Sequence, residues 1–245
     1  MRIAVISDIH GNYEALEAVL ADIETRAVDT TVNLGDLVSG PLHPEKTADR
    51  LIGLGIPTIR GNHERNLLSL DPDSMGASDR FAASRLRADQ QEWIAGLPAS
   101  LVLSESILLC HGTPESDTSY FLETVEKEGC RAASAFEVAL RVGPFSASLI
   151  VCGHSHIPRV LSLPDGRTIL NPGSVGIQAF ASEIPYLHKV ETRTPHARYA
   201  IASFSNRGWS SEFFQVRYDW ESAALLANVN DRKDWVMPLR NGRLA

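Results

Sequence analysis

The segment Ile3-Ala4-Val5-Ile6-Ser7-Asp8-Ile9-His10 begins with four apolar residues and ends on two metal-ligand types. An apolar run of this length bounded by polar residues predicts a buried strand. The same arrangement returns four times. Thr31-Val32-Asn33-Leu34-Gly35 leads into Asp36, and Ile56-Pro57-Thr58-Ile59-Arg60-Gly61 leads into Asn62-His63. Ile107-Leu108-Leu109-Cys110 leads into His111, and Leu149-Ile150-Val151-Cys152-Gly153 leads into His154-Ser155-His156. In an open α/β sheet, loops leaving the carboxyl ends of neighbouring strands lie side by side and form the ligand crevice. Five such strands bring Asp, Asn and His to one place. Nitrogen and oxygen donors in that number suit divalent transition metals.

Between these runs the pattern is helical in the first half and hairpin-like in the second. Asn12 is placed to cap a helix, with Glu14 in its first turn and an apolar face of Leu16, Val19, Leu20 and Ile23. Helices are also predicted over Glu45–Gly53, Ser78–Leu86, Gln90–Ala95 and Asp219–Asn228. One or two more are predicted within Thr118–Leu140, divided near Gly129. A short strand is predicted at Pro57–Arg60. Leu101–Leu103 pairs with Ile107–Cys110. Pro164-Asp165-Gly166 and Asn206-Arg207-Gly208 each sit between two strand-like runs, which is a hairpin signal. Helix–strand alternation followed by antiparallel hairpins predicts a mixed-sheet α/β sandwich with outer helices. No internal repeat or linker divides residues 1–245, so one domain is expected, with 219–245 as its C-terminal helix and tail.

The formal net charge is -7, which argues against stable binding to nucleic-acid backbone or to an anionic membrane. No apolar run is long enough to span a bilayer. The three cysteines show no C-x-x-C spacing, and Cys110 and Cys152 lie inside strand runs, which fits a reducing cytoplasm. A small phosphorylated substrate is compatible with the acidic balance. Two divalent ions would outweigh the two carboxylates Asp8 and Asp36 and leave the crevice electropositive.

Each motif is weak alone; their ordered conjunction at strand exits is not. Asp8-Ile9-His10, Gly35-Asp36, Gly61-Asn62-His63-Glu64, His111-Gly112 and Gly153-His154-Ser155-His156 together resemble the calcineurin-like metallophosphoesterases. Asn171-Pro172-Gly173-Ser174-Val175 resembles the segment after the last motif in small bacterial and archaeal members. The resemblance runs from Arg2 to about Arg217. It implies a four-layer α/β/β/α sandwich of two mixed sheets flanked by helices, with a two-metal site at one edge. By position it implies that Asp8, His10, Asp36 and His156 hold one metal and that Asp36, Asn62, His111 and His154 hold the other. Mn²⁺ is the first expectation, and Fe²⁺, Zn²⁺ and Ni²⁺ accept the same donors. The implied reaction is attack on phosphorus by a hydroxide held between the metals. In it, Asp36 and Asn62 organise the site and His63 assists the leaving oxygen. The substrate class is a small or nucleotide-like phosphodiester, with a phosphomonoester close behind.

Departures from the family pattern matter too. Protein phosphatases and symmetrical dinucleoside polyphosphate hydrolases carry Gly-Asp-x-x-Asp-Arg-Gly at the second motif, whereas this chain has Gly35-Asp36-Leu37-Val38-Ser39-Gly40-Pro41. The carboxylate that would orient His63 is absent, and another group has to replace it. Ile177–His196 exceeds the loop of compact members and is expected to be a solvated insertion or oligomer contact rather than a substrate lid. Arg65, Arg80, Arg85 and Arg87 are expected on solvated helix faces rather than on a phosphate, and His43 outside the crevice. Trp209, Trp220 and Trp235 are expected in core or interface. The apolar tail cluster of Trp235, Val236, Met237 and Leu239 would dock on its own domain or on a second copy, making a homo-oligomer. Two rival classes remain at this level. A non-catalytic scaffold would have lost ligands or His63, and none is missing. A nuclease would need a basic groove.

Overall fold

The computed structural model covers residues 1–245. Two mixed sheets carry the architecture. The first has the order β13-β12-β1-β2, with β1 Arg2–Ile6, β2 Thr30–Asn33, β12 Ala197–Ser205 and β13 Gly208–Val216. Here β1 and β2 are parallel, and β12 is antiparallel to both its neighbours. The second has the order β3-β4-β7-β9-β8, formed by Ser100–Ser104, Ile107–Cys110, Leu149–Val151, Thr168–Asn171 and Arg159–Ser162 respectively. Its three central strands, β4, β7 and β9, are parallel, and both edge pairs are antiparallel.

Strand alternation explains why the opening runs are apolar throughout. Successive side chains point to opposite faces, and both faces are covered. Ile3 and Val5 of β1 meet Ile107, Leu109, Leu149 and Val151 in a layer between the sheets. Ala4 and Ile6 point the other way, into a cluster with Leu16, Val19 and Leu20 of α1 (Tyr13–Glu24) and Leu51 of α2 (Pro44–Leu54). Leu108 and Ile150 turn outward in the second sheet and meet Val138 and Val142 of α6 (Ala135–Val142). The three apolar layers separate four layers of structure, in the α/β/β/α order expected.

The remaining helices are α3 Asn62–Ser69, α4 Ala77–Ala83, α5 Ala88–Gly96, α7 Trp220–Val229 and α8 Val236–Asn241. Asn12 caps α1, its Oδ1 accepting from the Ala15 N–H, and Asp219 caps α7 in the same way from Ser222. The tail docks on its own chain, with Trp235 and Leu239 inside the core beside α1.

Three segments differ from the sequence expectation. Thr118–Leu140 is not helical over most of its length: β5 Glu123–Glu126 and β6 Gly129–Ala132 form a hairpin before α6. Gly129 turns it with φ +132, a conformation that excludes a continuous helix, and Arg131 locks it by binding Glu126 and Glu137. Pro57–Arg60 contributes a single bridge, between Asn33 and Thr58, because Pro57 cannot donate to a ladder. Ile177–His196 is solvated in part, mainly over residues 183–187. It folds into a hairpin of β10 Ala179–Ser182 and β11 His188–Glu191, with His188 buried and bonded to Tyr120 Oη at 2.9 Å.

Candidate metal centre

The ligand-type residues stand at the carboxyl ends of β1, β2, β4 and β7 and at the start of α3, along the edge where the two sheets meet. Backbone bonds draw the loops together. Asp8 N–H donates to Gly35 O at 3.0 Å, His10 N–H to Asp36 O at 2.9 Å and Gly153 N–H to His111 O at 2.7 Å. Side chains of the site add to this: Asp36 Oδ1 accepts from His63 N–H at 3.1 Å and Asp8 Oδ1 from His154 N–H at 3.2 Å. Two glycines permit the approach. A Cβ at Gly153 would lie 2.0 Å from Ser7 Oγ, and one at Gly61 would lie 2.2 Å from Asp36 Oδ1. Asp8, His10, Asp36, His154 and His156 all have positive φ, between 52 and 66°. Such backbone is uncommon outside glycine and clusters at functional sites.

The expected donors form two groups, with His63 making a third cluster with His10 and Asp36 between them. Asp8, His10 and His156 offer ligand atoms within 4.8 Å of one another, and so do Asp36, His111 and His154. Asp36 touches both groups: its Oδ2 is 3.1 Å from His111 Nε2 and 3.9 Å from His10 Nε2. Asn62 Oδ1 lies 3.1 Å from His111 Nε2. The sequence-predicted donors are therefore brought together in one place.

Their hydrogen bonds fit a cation. The Nδ1–H groups of His10, His111 and His156 donate to the carbonyls of Ser39, Leu34 and Ile177 at 2.8, 2.7 and 3.1 Å. That fixes each ring with Nε2 turned inward, the outer-shell arrangement of metal-binding imidazoles. His10 Nε2 and His156 Nε2 then face each other at 3.2 Å, two lone pairs aimed at one region. Asp8 Oδ2 is buried with no hydrogen-bond partner. Burial presses the imidazoles of His10 and His154 down to about 4, keeping them neutral. For His111 burial acts the same way, but Asp36 and Asp8 outweigh it and push the ring up to about 10. Burial opposes charge on Asp36 as well, yet His111 and His63 hold its carboxyl well below the usual range.

His63 is the second residue of α3, with Nε2 4.0 Å from Asp36 Oδ2. Its Nδ1–H donates to Asp79 Oδ1 at 2.5 Å. Asp79 is buried in α4 and also accepts from Asn66 Nδ2 at 3.2 Å. This is the orienting carboxylate that the second motif lacks, supplied from a different helix. Burial of His63 opposes its charge, but Asp36 and Asp79 together push the imidazole up to about 9. Nothing in the sequence marks Asp79, which reads as an ordinary acid in the first turn of a helix. Glu64 was legible only as part of a motif. Fully buried, its Oε2 accepts from the N–H groups of Asp36 and Gly61, and its Oε1 from that of Leu37, at 2.8–2.9 Å.

Residues 1–193 match the model of the calcineurin-like phosphoesterase superfamily domain. The chain belongs to the calcineurin-like phosphoesterase superfamily. A metallophosphoesterase from Sphaerobacter thermophilus is 25% identical with a TM-score of 0.75, over 99% of each chain. A hypothetical protein from Pyrococcus horikoshii shares the fold with a TM-score of 0.79 at 19% identity, over 100% of this chain and 99% of that one. An uncharacterized protein of Methanocaldococcus jannaschii is 25% identical over 266 residues, covering 96% of this chain and 95% of the relative.

In this calcineurin-like phosphoesterase, two cavities open beside the donors. One of about 430 Å³ is bounded by His10, His63, Phe180, Arg232 and Trp235, among others. The other, about 670 Å³, is bounded by Asn62, Arg65, Asn66, Tyr120 and Phe180, among others. His154 and Phe180 border both. Phe180 packs on His156 with ring centroids 4.7 Å apart, and Trp235 stands edge-on to His10 at 6.1 Å. Phe180 carried no signal in the sequence and Trp235 read there only as a core or interface residue, because each acquires its place at the cavity only through the folding of β10 and the tail. Of the four arginines considered, only Arg65 lines a cavity at the donors, and it is bound to Asp117 at 2.6 Å. Arg80 binds backbone carbonyls, Arg85 lies over Phe81, and Arg87 pairs with Asp49 and Asp89. His43 pairs with Glu14 at 3.2 Å, away from the donors.

Proposed function

We propose that the chain is a dinuclear-metal phosphoester hydrolase, built as one domain over residues 1–245, that favours diesters over monoesters. The observation that carries this is Asp36, a buried carboxylate within reach of both donor groups and 4.0 Å from His63. Asp8, His10, His156 and Asp36 would hold one cation, and Asp36, Asn62, His111 and His154 the other, with Mn²⁺ the first expectation. When bound, the pair supplies the positive charge that activates water and steadies the phosphoryl oxygens during in-line displacement.

The chain's own residues do the rest. Asp79 holds His63 by Nδ1, which leaves Nε2 to donate a proton to the departing oxygen. Asn62 contributes a neutral oxygen, so the site keeps its positive charge for the substrate. The preference for diesters rests on the arginines. Arg65 is bound to Asp117 and Arg232 to Asp234, so neither is free to balance the extra charge of a monoester dianion. A reducing, cytoplasmic setting agrees with three unpaired cysteines, and no helix is long and apolar enough to cross a membrane.

The test is hydrolysis of bis-p-nitrophenyl phosphate beside p-nitrophenyl phosphate by chelator-stripped protein resupplied with Mn²⁺. Metal-dependent turnover lost in Asp36→Asn and His111→Ala, and higher on the diester, supports the proposal. Turnover that survives either substitution in metal-replete protein removes it.

A further inference from the structure

The two cavities differ in position and in lining. His63 borders the smaller one and is absent from the larger. A group that protonates the leaving oxygen has to come within hydrogen-bond reach of it, roughly 2.6–3.2 Å. The leaving substituent is therefore on the His63 side. In an in-line displacement the retained substituent does not share that space, and the remaining opening is the larger cavity, reached past Asn62 and His154. Both volumes fall within the roughly 300–1,000 Å³ of small-molecule sites. A monoester carries one organic substituent and would leave the larger cavity without a role.

We infer that a phosphodiester spans both cavities, with its leaving alcohol between Phe180 and Trp235 and its retained substituent against Asn66, Ser119 and Tyr120. The linings assign the chemistry of each part. The smaller cavity presents Ile177, Phe180, Trp235 and Pro238, walls suited to a flat, weakly polar ring. The larger is bordered by Asn66, Thr118, Ser119, Tyr120 and Thr124; the Ser119 and Tyr120 hydroxyls, already bonded to Ser116 and His188, keep lone pairs that accept from a hydroxylated substituent such as a nucleoside. The inference rests on the hydrolase reading above and divides its substrate between two subsites.

Two substitutions at exposed, lining positions test it. Ser119→Trp fills the larger cavity and Ala181→Trp the smaller one. The substrates are p-nitrophenyl phosphate and the p-nitrophenyl ester of thymidine 5′-monophosphate, with Mn²⁺ present. In Ser119→Trp the diester-to-monoester ratio of kcat/KM falls about tenfold. In Ala181→Trp both substrates lose rate together and the ratio holds. Calorimetric binding of the product thymidine 5′-monophosphate gives a readout independent of turnover, and its Kd rises about tenfold in Ser119→Trp alone. Unfolding curves that overlay the parent's establish that both variants are folded. A ratio that moves in Ala181→Trp instead, or in neither, overturns the assignment. Absence of metal-dependent hydrolysis of either substrate by the parent chain is the separate failure of the hydrolase reading.

Discussion

Asp79→Asn separates the role of His63 as a proton donor from its role as a packed side chain. Asp79 accepts from His63 Nδ1 at 2.5 Å, and its other oxygen is held by Asn66. The substitution keeps the shape and removes the charge. A hydrogen bond with a charged partner contributes about 1.5–3 kcal/mol. If the whole of that is felt only when His63 is protonated and aligned, the loss in kcat is roughly 10–150-fold at 1.36 kcal/mol per decade. The ceiling is the full contribution of a general acid, about 10²–10⁴-fold, which His63→Ala measures. The assay is kcat on bis-p-nitrophenyl phosphate with saturating Mn²⁺ for the two single variants and the double variant. Because Asp79 acts through His63, Asp79→Asn costs nothing further once His63→Ala is made, and the double variant is as slow as His63→Ala alone. A double variant as slow as the product of the two single losses would refute the relay. So would an Asp79→Asn enzyme within about twofold of the parent.

Glu64→Ala removes the acceptor of three backbone N–H groups in a fully buried place. It is expected to cost about 3 kcal/mol or more in urea unfolding, at about 1–3 kcal/mol for each buried donor left unsatisfied, and a loss below about 1 kcal/mol would show those donors find other partners. Loading the metal-free protein at pH 7 releases protons, since His111, with its ring pushed up to about 10, holds one that a ligand cannot keep. Calorimetry in buffers of different ionisation enthalpy counts them, and metal affinity rises with pH; an affinity flat between pH 6 and 8 contradicts this. Mn²⁺ at 100 times its Kd raises stability by about 2.7 kcal/mol per site, seen as a higher Tm, and Asp8→Ala with His156→Ala shrinks that rise by removing one site's ligands. An unchanged Tm in the parent would count against tight binding by these donors.

The fold was readable because the strands obey two simple constraints at once. Ile3 and Val5 face one apolar layer while Ala4 and Ile6 face another, so the whole run has to be apolar, and it ends where the sheet ends. The donors were readable for the same reason, since each follows such a run directly. Asp79 was not. It lies 16 residues beyond His63, on a short helix whose packing against α3 leaves no periodic mark. Phe180 was equally silent, and Trp235 was legible only as a core or interface residue: a lone aromatic in a hairpin or a tail looks the same whether it fills a core or walls a cavity. Thr118–Leu140 misled because Glu, Lys, Leu and Ala suit a helix locally, while Gly129 turns the chain at φ +132 and lets Val125 pair with Cys130.

The left-handed backbone at Asp8, His10, Asp36, His154 and His156 also bears on how such a protein drifts. Apart from glycine, the residues that enter this conformation most readily are Asn, Asp and His. The alphabet the backbone tolerates at these five positions is thus nearly the alphabet that binds metal. Drift to a branched residue meets a conformational penalty before any question of chemistry arises. Drift to Asn or Gly meets none, and abolishes or weakens a ligand while the loop keeps its course. Mutational erosion of the centre therefore has an open road to an inert but well-folded descendant, and a nearly closed one to a differently equipped enzyme.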